Sequence, residues 1–244
     1  MVNLENWLKL VESHGLVSVA RLKFRCREVF KDVLLTGSTM LEIGSGPGLF
    51  CLWAAMHGAT RVVGLEPEAE GCSPGSSQIF RDLIKITAVE NIECVSQRLQ
   101  DFNPGGERFD VVLSHNSVEH LDEDAVVSLD RAQAARDVYI GLFRKVGAMM
   151  RRGGRFIIYN VGRSNLWPHV FNGWSPLAPS IEWHKHHDPI VWRRLLEASG
   201  FGDFHVSWQR FYSLRHLGPI ASNSISAFLL TPVFRLKATY LGMR

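Results

Sequence analysis

Cysteine is scarce in this sequence of 244 residues, and its four cysteines lie far apart. They are Cys26, Cys51, Cys72 and Cys94, and more than twenty residues separate each from the next. No pair has the short spacing that metal sites and redox motifs require. We therefore interpret all four as reduced thiols in a cytoplasmic protein.

Net charge and long apolar runs are also largely missing. The 27 basic and 24 acidic residues leave a formal charge of +3. That charge is too small to indicate binding to nucleic acid or to a membrane. The longest stretch without formal charge, His216 to Phe234, contains glycine, proline and serine, which argues against a membrane span. The N-terminal pattern is amphipathic, with no signal-peptide core. We expect a cytoplasmic protein with no membrane span, for which the charge disfavours a nucleic-acid partner, and leave a homodimer open.

What the sequence does contain is an alternation of strand and helix patterns. Short apolar runs predict strands at 39–43, 61–65, 93–96, 109–114 and 155–159. Helical spacing predicts two helices within 3–35 and further helices at 50–57, 78–87, 138–150 and 190–198. The β-rich segments 203–214 and 225–240 supply the last strands, one of them antiparallel. The alternation predicts an α/β fold with a doubly wound, Rossmann-like, mostly parallel sheet.

A long segment rich in aromatic residues and proline interrupts this alternation at 162–187. Loops of this length inside a compact domain are usually lids or binding loops. We predict a lid insertion after the fifth strand, whose aromatic side chains favour an acceptor with an apolar or ring-like surface. Asp188-Pro189 has the pattern of a helix start. RRGGR at 151–155 is interpreted as a helix end followed by a turn.

A glycine-rich loop follows the first predicted strand. It consists of Gly44, Ser45, Gly46, Pro47 and Gly48. In doubly wound sheets a ligand binds beyond the carboxyl ends of the strands, beside the first one. Glycines there let the backbone turn sharply and approach the ligand closely. The loop therefore predicts a cofactor site.

The residues around the loop indicate which cofactor it suits. A dinucleotide loop needs G-x-G-x-x-G, but the third glycine position holds Leu49. Glu42 lies two residues before the loop, where its negative charge would repel the pyrophosphate of a dinucleotide. A cofactor with an ammonium, a sulfonium and no phosphate suits this carboxylate better. Glu66, followed by Pro67, ends the second strand and can bind both ribose hydroxyls. Glu66 alone would suit NAD equally well.

Four segments carry a resemblance to a known family. They are LEIGSGPGLF at 41–50, VVGLEPE at 62–68, FDVVLSHNSVEHL at 109–121 and RRGGRFII at 151–158. In this order and spacing they resemble the motifs of class I S-adenosylmethionine-dependent methyltransferases, in the small-molecule branch. The resemblance covers roughly residues 35 to 205. It implies S-adenosylmethionine as cofactor and S-adenosylhomocysteine as product.

The resemblance also implies roles for particular residues. Glu42 and the glycine loop would line the methionine part of the cofactor, and Glu66 with Pro67 would hold the ribose. The usual acidic position near the adenine holds Arg98, so Leu99 is predicted as the adenine contact. The predicted cofactor site comprises Glu42, Gly44, Ser45, Gly46, Gly48, Glu66, Pro67, Leu99, His115 and Asn116.

The resemblance leads us to expect one methyltransferase domain over residues 1–244. Residues 1–36 would form an N-terminal helical cap and 37–161 the cofactor-binding core. Residues 162–187 would form the lid or acceptor loop, and 188–244 the C-terminal helix and last strands.

Candidate bases lie after the fourth strand and before the helix at 190–198. Methyl transfer is an in-line displacement that needs a base when the acceptor is a hydroxyl. Glu119 and His120 are two predicted catalytic residues, although they can equally pack the turn. Some relatives hold a divalent metal here, but Asn116 occupies the first ligand position, so no metal is predicted. His187 is the preferred base of the cluster His184, His186 and His187, which can also be a solvated surface run.

We therefore predict methyl transfer to a small-molecule acceptor, at a hydroxyl oxygen or a nitrogen. The chain lacks the Asn/Asp-Pro-Pro-aromatic stretch and the Pro-Cys pair of nucleic-acid base methyltransferases. Protein and tRNA acceptors stay open. The alternatives are an NAD(P)-dependent oxidoreductase and a non-catalytic S-adenosylmethionine-binding module.

Overall fold

The computed structural model describes residues 4–13, 15–67, 74–209, 212, 216, 220 and 222–243. Within these residues, seven strands form one sheet. The strands are β1 (Thr39–Ile43), β2 (Arg61–Leu65), β3 (Ile92–Val95), β4 (Phe109–His115), β5 (Met150–Val161), β6 (Phe201–Trp208) and β7 (Val233–Tyr240). Their order is β3-β2-β1-β4-β5-β7-β6.

Helices follow most of the strands. They are α1 (Leu4–Ser13), α2 (Val19–Val29), α3 (Leu49–Met56), α4 (Ser76–Thr87), α5 (Glu123–Val126), α6 (Gln133–Ala148), α7 (Leu166–Val170), α8 (Pro189–Glu197) and α9 (Ser224–Leu229). Short 3-10 turns occur at Val118–Leu121 and Trp183–Lys185. In the described part of the chain, no helix is both long and apolar enough to cross a membrane.

The strand directions confirm the predicted fold class. β1 pairs with β2 and β2 with β3 in parallel, whereas β7 runs antiparallel to both β5 and β6. Glu42 in β1 pairs with Gly64, and Ile43 pairs with Leu65. The glycine loop and Glu66 therefore leave the sheet side by side, at the edge where ligands bind in such folds.

The chain divides into two compact units, Met1–Leu113 and Ser114–Arg244. Their boundary falls inside the segment 37–161 that the sequence assigns to the cofactor-binding core. The single domain and its four segments therefore stay a prediction. Each unit has its own set of buried apolar side chains.

The first unit packs its helices against β1 and β2. Residues Phe50 to Ala55 of α3 are all buried, as expected of a helix that is apolar all round. Trp7 of α1 contacts Trp53 of α3, with ring centroids 6.5 Å apart. The two helices predicted within 3–35 are present as α1 and α2.

Aromatic side chains fill the core of the second unit. The ring of Tyr139 in α6 lies 5.5 Å from that of Trp192 in α8, and Phe143 lies 5.9 Å from Phe156 in β5. Tilted and edge-to-face pairs at such distances are the favourable geometry for aromatic packing. They hold α6 and α8 in fixed positions in this unit.

The predicted lid segment contains α7 and the turn at Trp183–Lys185, and its two ends are joined by Asp188. The Asp188 carboxylate accepts hydrogen bonds from the Ser164 backbone N–H, at 3.0 Å, and from the Ser164 hydroxyl. Asp188 is the N-cap of α8 and Pro189 starts that helix, as predicted. However, the Asp188 carboxylate makes no hydrogen bond to the first turn of α8, because it accepts hydrogen bonds from Ser164 instead.

Residues 151–155 belong to β5, so their interpretation as a helix end followed by a turn is wrong. Helix α6 already ends at Ala148, and β5 begins at Met150. Arg155 pairs with Thr239 of β7. The strand forms in spite of the two glycines, which favour a turn. Gly153 adopts a φ of +87°, an angle that glycine tolerates.

Residues 225–229 form helix α9 and not a strand. The Asn223 side chain accepts hydrogen bonds from the N–H groups of Ile225 and Ser226, and the Ser226 hydroxyl accepts one from the Asn223 N–H. This capping box starts a helix where the apolar run predicted a strand. Of the predicted strand 203–214, residues 203–208 lie in β6, and 210, 211, 213 and 214 lie outside the described residues.

Candidate active site

The glycine loop in the first unit adopts backbone angles that favour glycine. Gly44, Gly46 and Gly48 have φ values of +69°, +52° and +72°. A Cβ on Gly48 would lie 2.1 Å from Cδ2 of Phe80, whereas a Cβ on Gly46 would meet nothing within 4 Å. Gly48 is therefore required by packing, and Gly46 borders open space that a ligand can approach.

Glu66 holds this loop in place. Its Oε2 atom accepts a hydrogen bond of 2.6 Å from the Gly46 backbone N–H. The Ser45 N–H also donates to the Leu65 carbonyl, at 2.8 Å. Glu66 is buried and the following Pro67 is half-buried. The second oxygen of Glu66 accepts no hydrogen bond from the described part of the chain, and can accept from a ribose hydroxyl.

Glu42 lies fully buried beside the loop. Its Oε2 atom accepts a hydrogen bond from the thiol of Cys51, with 2.9 Å between sulfur and oxygen. Burial is the main cause that raises the pKa of Glu42 to about 8; the Cys51 hydrogen bonds oppose it, and the Glu66 charge adds a smaller raising effect. The carboxyl is therefore protonated in much of the neutral range, until a cation binds nearby.

The remaining residues of the first unit also fit the expected cofactor. The Ser45 hydroxyl is buried and has no hydrogen-bond partner among the described residues. Leu99 is almost fully buried and presents an apolar surface. An open glycine backbone, two carboxyls and an unpartnered hydroxyl suit a ligand with an ammonium and hydroxyl groups.

In the second unit, a turn directly follows β4. Asn116 has a positive φ of +50°, and its N–H donates to the Tyr159 carbonyl at 2.8 Å. The ring of His115 stacks on that of Tyr159, with centroids 4.8 Å apart. The buried hydroxyl of Tyr139 lies within hydrogen-bond distance of the carbonyls of Val118 and Glu119. These contacts fix the turn that carries Glu119 and His120.

A cavity of about 230 Å³ opens beside this turn, entirely within the second unit. It is lined by side chains from the turn, from the end of β5 and from the lid segment. These are Asn116, Glu119, His120, Asn160, Val161, Ser180, Ile181, Glu182, Lys185 and His186. The lining is largely polar and contains no aromatic ring of phenylalanine, tyrosine or tryptophan. The lid aromatics predicted to contact the acceptor do not line this cavity.

Glu119 is the buried centre of the polar lining. Its Oε2 atom accepts a 2.6 Å hydrogen bond from the Asn160 side-chain amide. Its Oε1 atom lies 3.9 Å from both Nε2 of His120 and Nδ1 of His186. His120 itself is bonded through Nδ1 to Glu123, at 2.8 Å. The cavity thus joins Glu119 and His120, two of the predicted catalytic residues, with His186 and Asn160, and the catalytic roles of Glu119 and His120 stay predictions.

His186 has the properties of a neutral base. Burial lowers its pKa, and the neighbouring histidines lower it further, against the raising effects of Glu119 and a hydrogen bond with the Val161 backbone. Its Nδ1 atom is buried and has no hydrogen-bond partner among the described residues. A buried nitrogen without a partner is costly, so a ligand that donates to it is stabilised.

His187, the preferred base from the sequence, does not line the cavity. It is 1% exposed, its Nε2 atom lies 2.7 Å from the Val126 carbonyl, and its Nδ1 atom lies 3.3 Å from Asp130. Its ring also meets Trp192 edge-on. Both nitrogens are therefore engaged in packing contacts. The geometry gives no support to His187 as the base, which stays a prediction.

Three residues of the cavity lining were not predicted from the sequence, namely Asn160, Glu182 and Lys185. Asn160 had a signal, because it is the one polar residue among the apolar positions 156–161. In the part of the chain that the structure describes, no group of three or more His, Cys, Asp or Glu could hold a metal ion. The roles of His115 and Asn116 in cofactor binding stay predictions.

Comparison with known proteins identifies the class. A family profile described as "Methyltransferase domain" matches residues 20–206, most of the chain. The chain is 24% identical over 120 residues to ribosomal protein L11 methyltransferase of Aquifex aeolicus, covering 49% of the chain and 45% of that protein. It is 26% identical over 186 residues to ubiquinone biosynthesis O-methyltransferase of Methylobacterium sp., covering 72% of the chain and 66% of that protein. The chain thus spans only about half to two thirds of these curated relatives.

A solved structure shares the fold. The S-adenosylmethionine-dependent methyltransferase from Mesorhizobium loti has a TM-score of 0.58 at 20% identity, covering 88% of this chain and 95% of that one. The chain belongs to the methyltransferase-domain family, in the class I fold that uses S-adenosylmethionine. The predicted family and cofactor are confirmed.

Proposed function

We propose that the protein transfers a methyl group from S-adenosylmethionine to a small-molecule acceptor, at a hydroxyl oxygen or a nitrogen. The glycine loop, Glu42 and Glu66 of the first unit would hold the cofactor, which supplies a methyl group on a sulfonium. The cavity of the second unit would hold the acceptor.

The observation that carries this proposal is His186, a buried histidine on the cavity wall whose Nδ1 atom has no partner among the described residues. Its lowered pKa keeps it neutral near pH 7, so it can take a proton from the acceptor. Glu119, 3.9 Å away, would stabilise the imidazolium that results. Asn160 would keep Glu119 in place through its 2.6 Å hydrogen bond.

His186→Gln tests this assignment, with the exposed neighbour His184→Gln as the matched control. Labelled S-adenosylmethionine and a fractionated metabolite extract would reveal the acceptor and give kcat/KM. We expect His186→Gln to lower kcat/KM by about a hundredfold or more. Calorimetry should show unchanged cofactor binding, and His184→Gln should match the wild type.

Two results would contradict the proposal in different ways. Full turnover by His186→Gln would remove His186 as the base. Tight cofactor binding without transfer to any fraction would favour the non-catalytic binding module.

A further inference from the structure

The cavity in the second unit carries an excess of negative charge. Glu119 and Glu182 line it, and Glu123 lies just behind Lys185. Lys185 is the cation of this group, and its Nζ atom is bonded to Glu123 at 2.9 Å and to Glu182 at 3.0 Å. One lysine ammonium, bonded to two of the carboxylates, is therefore set against three carboxylates in all. An acceptor bearing a phosphate or a carboxylate would be repelled, whereas a cation would be attracted.

One carboxylate oxygen is left to receive a ligand. Oε2 of Glu119 is occupied by Asn160, but Oε1 accepts no hydrogen bond from the residues that the structure describes. The two histidine nitrogens at 3.9 Å are too far from Oε1 for hydrogen bonds. No lysine or arginine of the described chain pairs with Glu119, so its charge is not neutralised by a strong base.

We propose that the methyl acceptor is a small primary or secondary amine whose nitrogen donates to Oε1 of Glu119. This inference rests on the function proposed above and names its substrate class. An ammonium supplies both the charge and the donors that the site lacks, because Glu119 Oε1 and His186 Nδ1 are two acceptors 3.9 Å apart. A hydroxyl offers only one donor to this pair.

The same arrangement accounts for activation of the amine. A nitrogen bound at Oε1 lies beside Nδ1 of His186, which takes one proton and leaves a lone pair on the amine. A nitrogen–carbon bond then forms as the sulfur–carbon bond breaks, and its electron pair stays on sulfur as the neutral thioether. The product carries the new methyl group, and the proton on His186 passes to water.

The size of the cavity limits the acceptor. Its volume of about 230 Å³ is below the range of about 300–1,000 Å³ typical of sites for drug-sized ligands. Small amines therefore suit it better than nucleosides or peptides.

Matched amine and alcohol pairs test the inference. The probes are benzylamine against benzyl alcohol, cyclohexylamine against cyclohexanol, and ethanolamine against ethylene glycol, each titrated by ligand-observed NMR into protein saturated with S-adenosylhomocysteine. For at least one pair we expect the amine to bind about tenfold more tightly, as a charge-assisted hydrogen bond requires. Glu119→Gln should abolish that preference. Glu197→Gln is the control, because Glu197 is exposed at the end of α8 and does not line the cavity, and it should keep the preference.

The outcomes separate the inference from the proposed function. Equal binding within all pairs, tighter binding of the alcohols, or a preference that survives in Glu119→Gln would overturn the amine assignment. If labelled methyl reaches alcohols and not amines, the proposed function stands and the inference fails. If Glu119→Gln does not fold, the comparison of the pairs on the wild-type protein decides alone.

Discussion

The glycine loop and the cavity are built in different ways, although each collects polar groups around a space for a ligand. The loop and its two carboxyls come from two neighbouring parallel strands, and Glu66 bonds directly to Gly46. The cavity draws on the turn after β4, the end of β5 and the lid segment. The loop is therefore a local structure, whereas the cavity exists only once three distant segments have packed.

This difference predicts where a single substitution acts. In the glycine loop, the backbone itself and its close packing are what the site needs, so side-chain atoms added there should lower stability. In the cavity, adjacent residues have separate roles, so neighbouring substitutions should give unlike results.

Gly48→Ala should lower the free energy of unfolding by about 2–5 kcal/mol, the sum of overpacking and a left-handed backbone. The new Cβ would lie 2.1 Å from Phe80, which is fully buried and has no room to move. Gly46→Ala is the matched control, with a positive φ but open space, and should cost about 1–2 kcal/mol. Urea denaturation measures both values, and equal losses would contradict the packing role of Phe80.

His187→Ala should destabilise the protein by about 2–4 kcal/mol, because it empties a packed site and removes the 2.7 Å hydrogen bond to the Val126 carbonyl. His186→Gln should cost less than about 1 kcal/mol, because Nδ1 of His186 has no partner to lose. His187→Ala should therefore lose more stability than His186→Gln, whereas His186→Gln should lose more turnover. A stable His187→Ala protein with lost turnover would restore His187 as the base.

Cofactor affinity should rise with pH up to about 8. The pKa of Glu42 is raised to about 8, so below that pH the free protein must release a proton before the carboxylate can meet an ammonium. Each pH unit below 8 should weaken binding by about tenfold. Above it the cofactor amine, with a reference pKa of about 7.7–8.0, loses its own proton and affinity falls again.

Calorimetry over this range tests the dependence. S-adenosylhomocysteine keeps the amine and should follow the same profile, whereas Glu42→Gln should remove the rising limb. A flat profile for the wild type would show that Glu42 does not meet the ammonium.

The mostly parallel sheet and the glycine loop follow from short-range patterns in the sequence. The choice between His186 and His187 does not. The turn ends at Lys185 and His186 is extended, with φ −90° and ψ 148°, so consecutive side chains point to opposite sides. Which side faces the cavity depends on how the lid segment packs.

Two elements were predicted wrongly, for opposite reasons. RRGGR at 151–155 has the local signals of a turn, but it forms the first part of β5, which pairs with β7 from Arg155 onward. At 225–229 the reverse holds, since the cap at Asn223 starts a helix within an apolar run. Asn160 joins the site because β5 ends beside the turn after β4, a contact that no spacing in the sequence reveals.

The hydrogen bonds between Asp188 and Ser164 make the lid segment a module, that is, a loop whose two ends are held together. Because the two ends are held together, a change of length at the exposed residues 171–174 would not pull on β5 or α8. Loop closure is permissive, at about 0.6 kcal/mol for each doubling of length. The module supplies Ser180, Ile181, Glu182 and Lys185 to the cavity. One face of the cavity can therefore vary in shape without any change in the sheet or the glycine loop.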